Sequence, residues 1–493
     1  MKKYKYEIIV FIVEAVFMTL ELVASRVLSP YFGNTNVVWT SVIGIILLSC
    51  SLGNYIGGII ADKKESEKSL KLILVLASVF IFLIPIIQGF LLEKISLVIN
   101  GIKLGAVIST ICLFFIPSLL LGLINPIVLK KRLLCVENAG KVSGRIYAIS
   151  TIGGILGTFL SGFYLIPSFG SVQMLFGLSI ILLLLSLFLK GSKKQIIIII
   201  LLIIIDICLF CVFYKENIVN LNNVLDGKIN VKASLDTQYG KVNLYNIYYG
   251  FDKVRVLNID GGYESATFVD DSKNELVYEY TKYYDLMFKS KNDIKNVLMI
   301  GGGGYSYPKY FISHYLDKNI DVVEIDEDVT RIAKKYFYLD DVIKEYKASS
   351  RINLINEDGR TFINNNTKKY DAILNDTFTG EIPAKDLTTL EAIKKIKSSL
   401  SSNGLYLSNV ISSLNGKNSL FLKSEVKTLK EVFKNVYVVA CNSLSEYDVQ
   451  NFMVIATDDD IYIEKSKKVN LTDENLILTD NYCPIESLIP SVF

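Results

Sequence analysis

The stretch Val297–Asp326, VLMIGGGGYSYPKYFISHYLDKNIDVVEID, decides how the C-terminal half of this chain folds. Val297–Ile300 is a short apolar run that reads as a strand, and four glycines follow it: Gly301, Gly302, Gly303 and Gly304. A segment of helix length comes next, then a second apolar run that ends in Glu324 and Asp326. Glycines after a strand let the backbone approach a ligand closely, and an acid at the end of the next strand can accept hydrogen bonds from ribose hydroxyls. Glu324 lies 23 residues after Gly301, close to the ~20 expected within one βαβ unit. The pattern therefore predicts a nucleoside-binding βαβ unit. Because it reads GGGG rather than GxGxxG, both a dinucleotide and S-adenosylmethionine stay open as ligands.

Two further acids extend the pattern. Arg351–Glu357 reads as a strand leading into Glu357-Asp358-Gly359-Arg360, and Tyr370–Asn375 reads as another with Asp376 at its end. Acids at the ends of three successive strands would surround one crevice, where open α/β sheets bind ligands. The same residues are also common as turn and cap residues.

VLMIGGGG, DVVEID, NEDGR and KYDAILNDTF together resemble the spermidine synthases (polyamine aminopropyltransferases), in their order and spacing, over roughly residues 232–460. The resemblance implies that the Gly301–Gly304 loop, Glu324, Asp326, Asp358, Gly359 and Gln238 bind S-adenosylmethionine or its decarboxylated form, with Glu324 at the ribose and Asp358 at the adenine. It implies that Asp376 deprotonates the attacking amine, since a protonated amine has no lone pair with which to attack the carbon beside S⁺. Tyr278, Glu279, Tyr283, Thr379 and Asp480 are the acceptor-side candidates. Pairing of two such domains is implied as well.

This chain departs from that family at several of these positions. The family's acid after the glycine run is Gly304 here, and its second acid after the catalytic one is Thr379. Its Tyr-His-Glu reads Val277-Tyr278-Glu279, and a further histidine falls at Tyr283. An acid at position 304 would repel the carboxylate of intact S-adenosylmethionine, so its loss could admit the undecarboxylated nucleoside. The nucleoside half of the site is better supported than the acceptor half.

The first half has another character. The chain is 51% hydrophobic, and its apolar residues concentrate before residue 215 in seven runs: 7–30, 37–61, 70–92, 105–129, 146–167, 171–189 and 195–214. About 20 apolar residues suffice to span a bilayer, which predicts an all-α polytopic membrane bundle over 1–214. The first run carries Glu14 and Glu21 and leads into further spans, so it does not read as a cleavable signal peptide. Glu21–Arg26 with Pro30–Gly33, Leu52–Gly58, Tyr147–Gly154 and the tail Leu478–Glu486 resemble the membrane-fused branch of the same family. Glu21 and Arg26 are expected to form a packing pair. The competing reading puts Glu14 and Glu21 at a cavity that binds an amine. Gly53, Gly57 and Gly58, and Gly153, Gly154 and Gly157, read as faces for close helix packing.

Lysine and arginine crowd the N-terminus (Lys2, Lys3, Lys5) and the loops at 63–71, 130–145 and 190–194, against Lys94 and Lys103 in the alternate loops. That asymmetry places the N-terminus in the cytoplasm. Seven spans then put the C-terminal domain outside, whereas supply of the nucleoside favours the cytosolic side; the chemistry tips the expectation toward the cytosol.

Residues 215–231 read as a linker, 232–270 as a small β-sheet subdomain with period-two strands at 241–248 and 253–259, and 271–493 as a Rossmann-like α/β domain. With 52 basic and 49 acidic residues there is no electrostatic case for nucleic acid. The single histidine, His314, argues against a histidine-based metal site or a Ser-His-Asp triad. Cys441 and Cys483 are the cysteines of the C-terminal half, and a bridge between them would favour an external location.

Three functions fit this pattern. The first is a membrane-bound transferase that moves an aminopropyl-type group to a small amine and releases methylthioadenosine. The second cleaves or cyclises intact S-adenosylmethionine without an acceptor. The third is a non-catalytic nucleoside-sensing or transport module. A methyltransferase fits less well, because Asp376 would lack a task.

Overall fold

The computed structural model describes residues 4–32, 36–63, 67–99, 102–133, 139–225, 233–291, 293–379, 382–442 and 444–490, and their side chains except at 167, 213–225, 233–234 and 379. Two compact units result. One comprises Met1–Asn222 with Ser234–Lys241, the other Val242–Val492 with Asn223–Ala233.

The first unit is helical: α1 (Lys5–Phe32), α2 (Asn36–Lys63), α3 (Glu67–Val98), α4 (Ile102–Gly122), α5 (Ile124–Leu133), α6 (Ala139–Leu160), α7 (Ile166–Leu187) and α8 (Lys193–Leu225). Among the described residues, seven helical segments are long and apolar enough to cross a membrane, with α4 and α5 together making one. They coincide with the seven runs read from the sequence. Small residues set the helix spacing. A Cβ at Gly153 would lie 2.2 Å from the Phe11 carbonyl oxygen, and one at Gly57 would lie 2.7 Å from that of Leu123, so the helices there touch backbone to backbone. Gly58 has nothing within 4 Å of such a Cβ and takes no part in this packing.

Glu21 and Arg26 are not a pair in this structure. Five residues apart on a helix they do not face each other, and the Arg26 guanidinium donates to the Gln238 carbonyl instead. Glu14 sits in a polar knot of three helices, accepting from Asn125 Nδ2 at 3.2 Å and Ser150 Oγ at 3.0 Å. Helix α8 runs to Leu225, into the stretch read as a linker; residues 226–231 lie outside the described residues.

The strands begin with β1 (Ala233–Asp236), in the segment that clusters with the helical unit. Then β2 (Lys241–Tyr249), β3 (Asp252–Ile259) and β4 (Gly262–Phe268) form an antiparallel meander. A short 3₁₀ helix, Glu279–Asp285, and α9 (Leu286–Ser290) lead into the main sheet. That sheet is built from β5 (Asn296–Ile300), β6 (Asn319–Glu324), β7 (Ile352–Asn356) and β8 (Tyr370–Asn375). After the small hairpin of β9 (Phe378–Thr379) and β10 (Ile382–Pro383), it is completed by β11 (Leu400–Ser412), β12 (Asn435–Ala440) and β13 (Gln450–Thr457).

The spatial order is β12-β13-β11-β8-β5-β6-β7. Strands β11, β8, β5, β6 and β7 are parallel, and β13 runs antiparallel to both β11 and β12. The intervening helices are α10 (Ser306–His314), α11 (Glu327–Tyr336), α12 (Leu339–Glu345), α13 (Gly359–Asn365), α14 (Leu390–Ser399) and α15 (Leu420–Lys430), with α16 (Ile485–Leu488) in the tail.

Continuous apolar strands are what a sheet covered on both faces requires. In β5, Val297 and Met299 enter one core, while Leu298 and Ile300 enter the other. Chain order reverses at β5: β6 and β7 lie on one side of it and β8 on the other. This switch point opens a crevice at the carboxyl ends of β5 and β8. Cys441 and Cys483 are buried in different cores, and both are free thiols.

Candidate active site

Gly301 sits where β5 ends. It has φ +92°, and a Cβ on it would lie 2.2 Å from the Asp376 carbonyl oxygen, so only glycine fits between the two strand ends. The loop it starts is held by Glu324. The buried Glu324 Oε2 accepts from the N–H groups of Gly302 and Gly303, each at 2.9 Å, and Oε1 accepts from Asp326 N–H at 3.0 Å. Burial pushes the Glu324 carboxyl above the usual range, and those three N–H donors work against that shift. Glu324 thus shapes the glycine loop besides lying where a ribose is expected.

Asp326 and Asp358 both cap helices. Asp326 Oδ1 accepts from Asp328 N–H at 2.9 Å at the start of α11, and Asp358 Oδ1 accepts from Thr361 N–H at 2.8 Å at the start of α13. Both stand at the carboxyl edge of the sheet, just beyond β6 and β7. Asp358 is exposed and Asp326 buried. Gly359 is required by packing, since a Cβ there would lie 2.6 Å from Ile300 Cγ2.

Asp376 follows β8 and keeps part of its surface accessible. The Tyr280 hydroxyl donates to its Oδ2 at 3.2 Å and Asn409 Nδ2 donates to its Oδ1 at 3.1 Å; Asn451 in turn donates to Asn409 Oδ1 at 3.0 Å. The buried Tyr284 hydroxyl faces the same carboxylate without completing a hydrogen bond. Burial pushes the Asp376 carboxyl up to about 6, and its hydrogen-bond donors limit the rise. A carboxylate that titrates near neutrality in a crevice suits proton acceptance.

The other candidates fare differently. Tyr278 is half-buried and stacks on Tyr280, with centroids 6.3 Å apart and planes 24° apart. Glu279 is exposed and pairs with Lys282 at 2.8 Å, and Tyr283 lies half-buried on the same turn. The Thr379 side chain lies outside the described residues. Asp480 is committed elsewhere, accepting from Arg360 Nη2 at 2.7 Å and Thr389 Oγ1 at 2.5 Å, which ties the tail to α13 and α14. Gln238 belongs to the segment Ser234–Lys241, which clusters with the helices.

At Gly304 a side chain has no room. A Cβ would lie 2.7 Å from Ser265 Cβ and 2.8 Å from Phe337 Cδ1, and Gly304 N–H donates to Ser265 Oγ at 2.8 Å. The sequence reading missed Tyr280, Tyr284, Asn409 and Ser265. Tyr280 and Tyr284 lie on the short 3₁₀ helix Glu279–Asp285, where a spacing of four does not mark one face, so the sequence offered no signal for them. Asn409 reaches Asp376 because Ser408 pairs with Asn375 across β11 and β8, a register that the sequence does not reveal.

Residues 283–467 match the spermine/spermidine synthase domain. A polyamine aminopropyltransferase from Vibrio vulnificus is 30% identical over 179 residues, covering 35% of this chain and 55% of that protein. One from Hydrogenobaculum is 29% identical over 171 residues, 35% of this chain and 57% of its own. One from Thermoplasma volcanium is 26% identical over 225 residues, 46% of this chain and 76% of its own. The chain thus spans a little over half the length of the first two relatives. Residues 283–467, within the C-terminal unit, are thus similar to the spermine/spermidine synthase domain and to these polyamine aminopropyltransferases.

Proposed function

We propose that this protein is a membrane-anchored aminopropyltransferase. It would transfer an aminopropyl-type group from a sulfonium nucleoside, decarboxylated S-adenosylmethionine, to a small amine and release methylthioadenosine. The observation that carries this reading is Asp376, held at the β5/β8 switch point by Tyr280 and Asn409 and backed against Gly301. Relatives named polyamine aminopropyltransferase support it.

In this reading the glycine loop, Glu324 and Asp358 hold the nucleoside. Asp376 takes a proton from the acceptor ammonium and frees the nitrogen lone pair. The nitrogen attacks the methylene carbon beside sulfur; the N–C bond forms, the C–S bond breaks, and its electron pair neutralises the sulfonium. Tyr280 and Asn409 keep the carboxylate oriented and ionised. The seven apolar helices anchor the enzyme in a bilayer.

A second reading rests on Gly304, which leaves the loop without an acid: intact S-adenosylmethionine would be cleaved or cyclised with no acceptor. One experiment separates the readings. The full-length protein in detergent is incubated with intact or decarboxylated S-adenosylmethionine, with and without putrescine, and methylthioadenosine is quantified. Release that needs both the decarboxylated form and the amine supports the transferase. Release from the intact form alone supports the second reading. Nucleoside binding without release in any mixture would refute both and favour a sensing module.

A further inference from the structure

The loop Gly301–Gly304 has no anionic side chain, and at Gly304 none fits, because Ser265 and Phe337 fill the space. What closes on the loop there is β4. Its pairing with β3 shifts register at this point: Ser265 is opposite Leu257 and Tyr263 opposite Asn258, so Glu264 is the extra residue of a β-bulge. Bulges re-aim a side chain and recur beside active sites. Glu264 therefore lies next to the Ser265–Gly304 clamp, one residue before Ser265 along β4.

Glu264 also lies within electrostatic range of Tyr278 and Tyr280, the stacked aromatic pair. Burial above all keeps the Tyr280 hydroxyl protonated, and after burial come the charges of Asp376 and Glu264. Glu264 acts in the same sense on Tyr278, after burial and Tyr263. Tyr280 is thus hydrogen-bonded to the Asp376 carboxylate and within the field of Glu264, with the Tyr278 ring stacked on it. Carboxylates beside aromatic faces favour a compact organic cation.

We propose that Glu264 is the specificity-determining acid of this site and binds a protonated primary amine: the aminopropyl amine of the nucleoside or the amine of the acceptor. It would supply from the bulge of β4 the negative charge that the glycine loop lacks, and would reject a carboxylate at the same place. This rests on the transferase reading for the identity of the ligands. It does not rest on that reading for the charge preference, which binding alone can report.

The test compares wild type, Glu264→Gln and Glu264→Asp as full-length protein in detergent. Affinities for methylthioadenosine, which has no amine, and for decarboxylated and intact S-adenosylmethionine are measured by calorimetry, and KM is measured for putrescine. Glu264→Gln is expected to leave methylthioadenosine affinity within about twofold, which also reports an intact fold. It should weaken either the decarboxylated nucleoside or putrescine by about 10- to 100-fold, the range for one hydrogen bond to a charged group. Glu264→Asp should recover part of the loss. A loss on the nucleoside assigns its aminopropyl amine to Glu264, and a loss confined to putrescine assigns the acceptor. Unchanged values for both, or an equal loss of methylthioadenosine affinity, would overturn the proposal. Charge-dependent binding without turnover would sink the transferase reading while leaving this one standing.

Discussion

The Tyr280 hydroxyl donates to Asp376 Oδ2 at 3.2 Å, so the residue we propose as proton acceptor is oriented by a phenol from the short helix before the main sheet. This relationship carries the first prediction. Asp376→Asn should lower turnover by ~10²–10⁴, the usual range for a general base, with methylthioadenosine affinity within about threefold. Wild-type kcat/KM should fall on the acid side with a midpoint near 6, because only the ionised carboxylate accepts the proton. Tyr280→Phe removes a donor that favours the ionised form, so that midpoint should move to higher pH. A limb that stays put would separate Tyr280 from the chemistry.

Gly301→Ala should be costly for two separate reasons. Its φ of +92° strains any other residue, and the new methyl group would overlap the Asp376 carbonyl. Together these predict a loss of about 3 kcal/mol in stability and a large drop in turnover. Thermal unfolding and methylthioadenosine release check it; an unaltered melting midpoint would mean that the strand ends separate easily.

Asp480→Asn tests whether the tail acid serves the acceptor or the fold. Because Asp480 is bound to Arg360 and Thr389, the expected loss is about 1 kcal/mol of stability, with KM for amine and nucleoside within about twofold. A rise in the amine KM alone would return Asp480 to the acceptor site.

Glu425, buried under the sheet on α15, predicts a pH-dependent stability. Burial pushes its carboxyl up from 4.5 to about 7, against a hydrogen bond with Ser408. The folded state therefore retains a proton that the unfolded chain releases. The contribution is fully present below pH ~4.5, fades as pH rises toward ~7, and amounts to roughly 3 kcal/mol. In Glu425→Gln this dependence should vanish, which melting midpoints of the full-length protein between pH 4.5 and 7.5 would show. A variant whose midpoint tracks wild type across that range would contradict it.

Much of this architecture was legible in the sequence because it rests on local patterns. Seven apolar runs announce seven helices, since length and hydrophobicity alone decide whether a helix can cross a bilayer. The order strand, glycines, helix, strand, acid was likewise legible, because a close backbone turn needs glycine and a short cap needs Asp. Gly301, Glu324, Asp358 and Asp376 all lie at the carboxyl edge of the sheet, as the motif spacing implies.

What the sequence could not supply depends on pairing between distant strands. Asn409 meets Asp376 through the register of β11 on β8, and Glu264 becomes the extra residue of a bulge because β4 slips against β3. Asp480 looked like a ligand residue from the motif around it, yet its partners Arg360 and Thr389 come from two helices more than ninety residues earlier. Glu21 and Arg26, close in sequence, do not pair, because five residues along a helix turn them apart. The sequence by itself determined the elements and the acids at their ends, because those follow from local backbone and solvation preferences. Only the tertiary structure decided which donors hold Asp376, why position 304 admits no side chain, and that Glu264 falls in a bulge next to the Ser265–Gly304 contact, because those follow from strand register and packing.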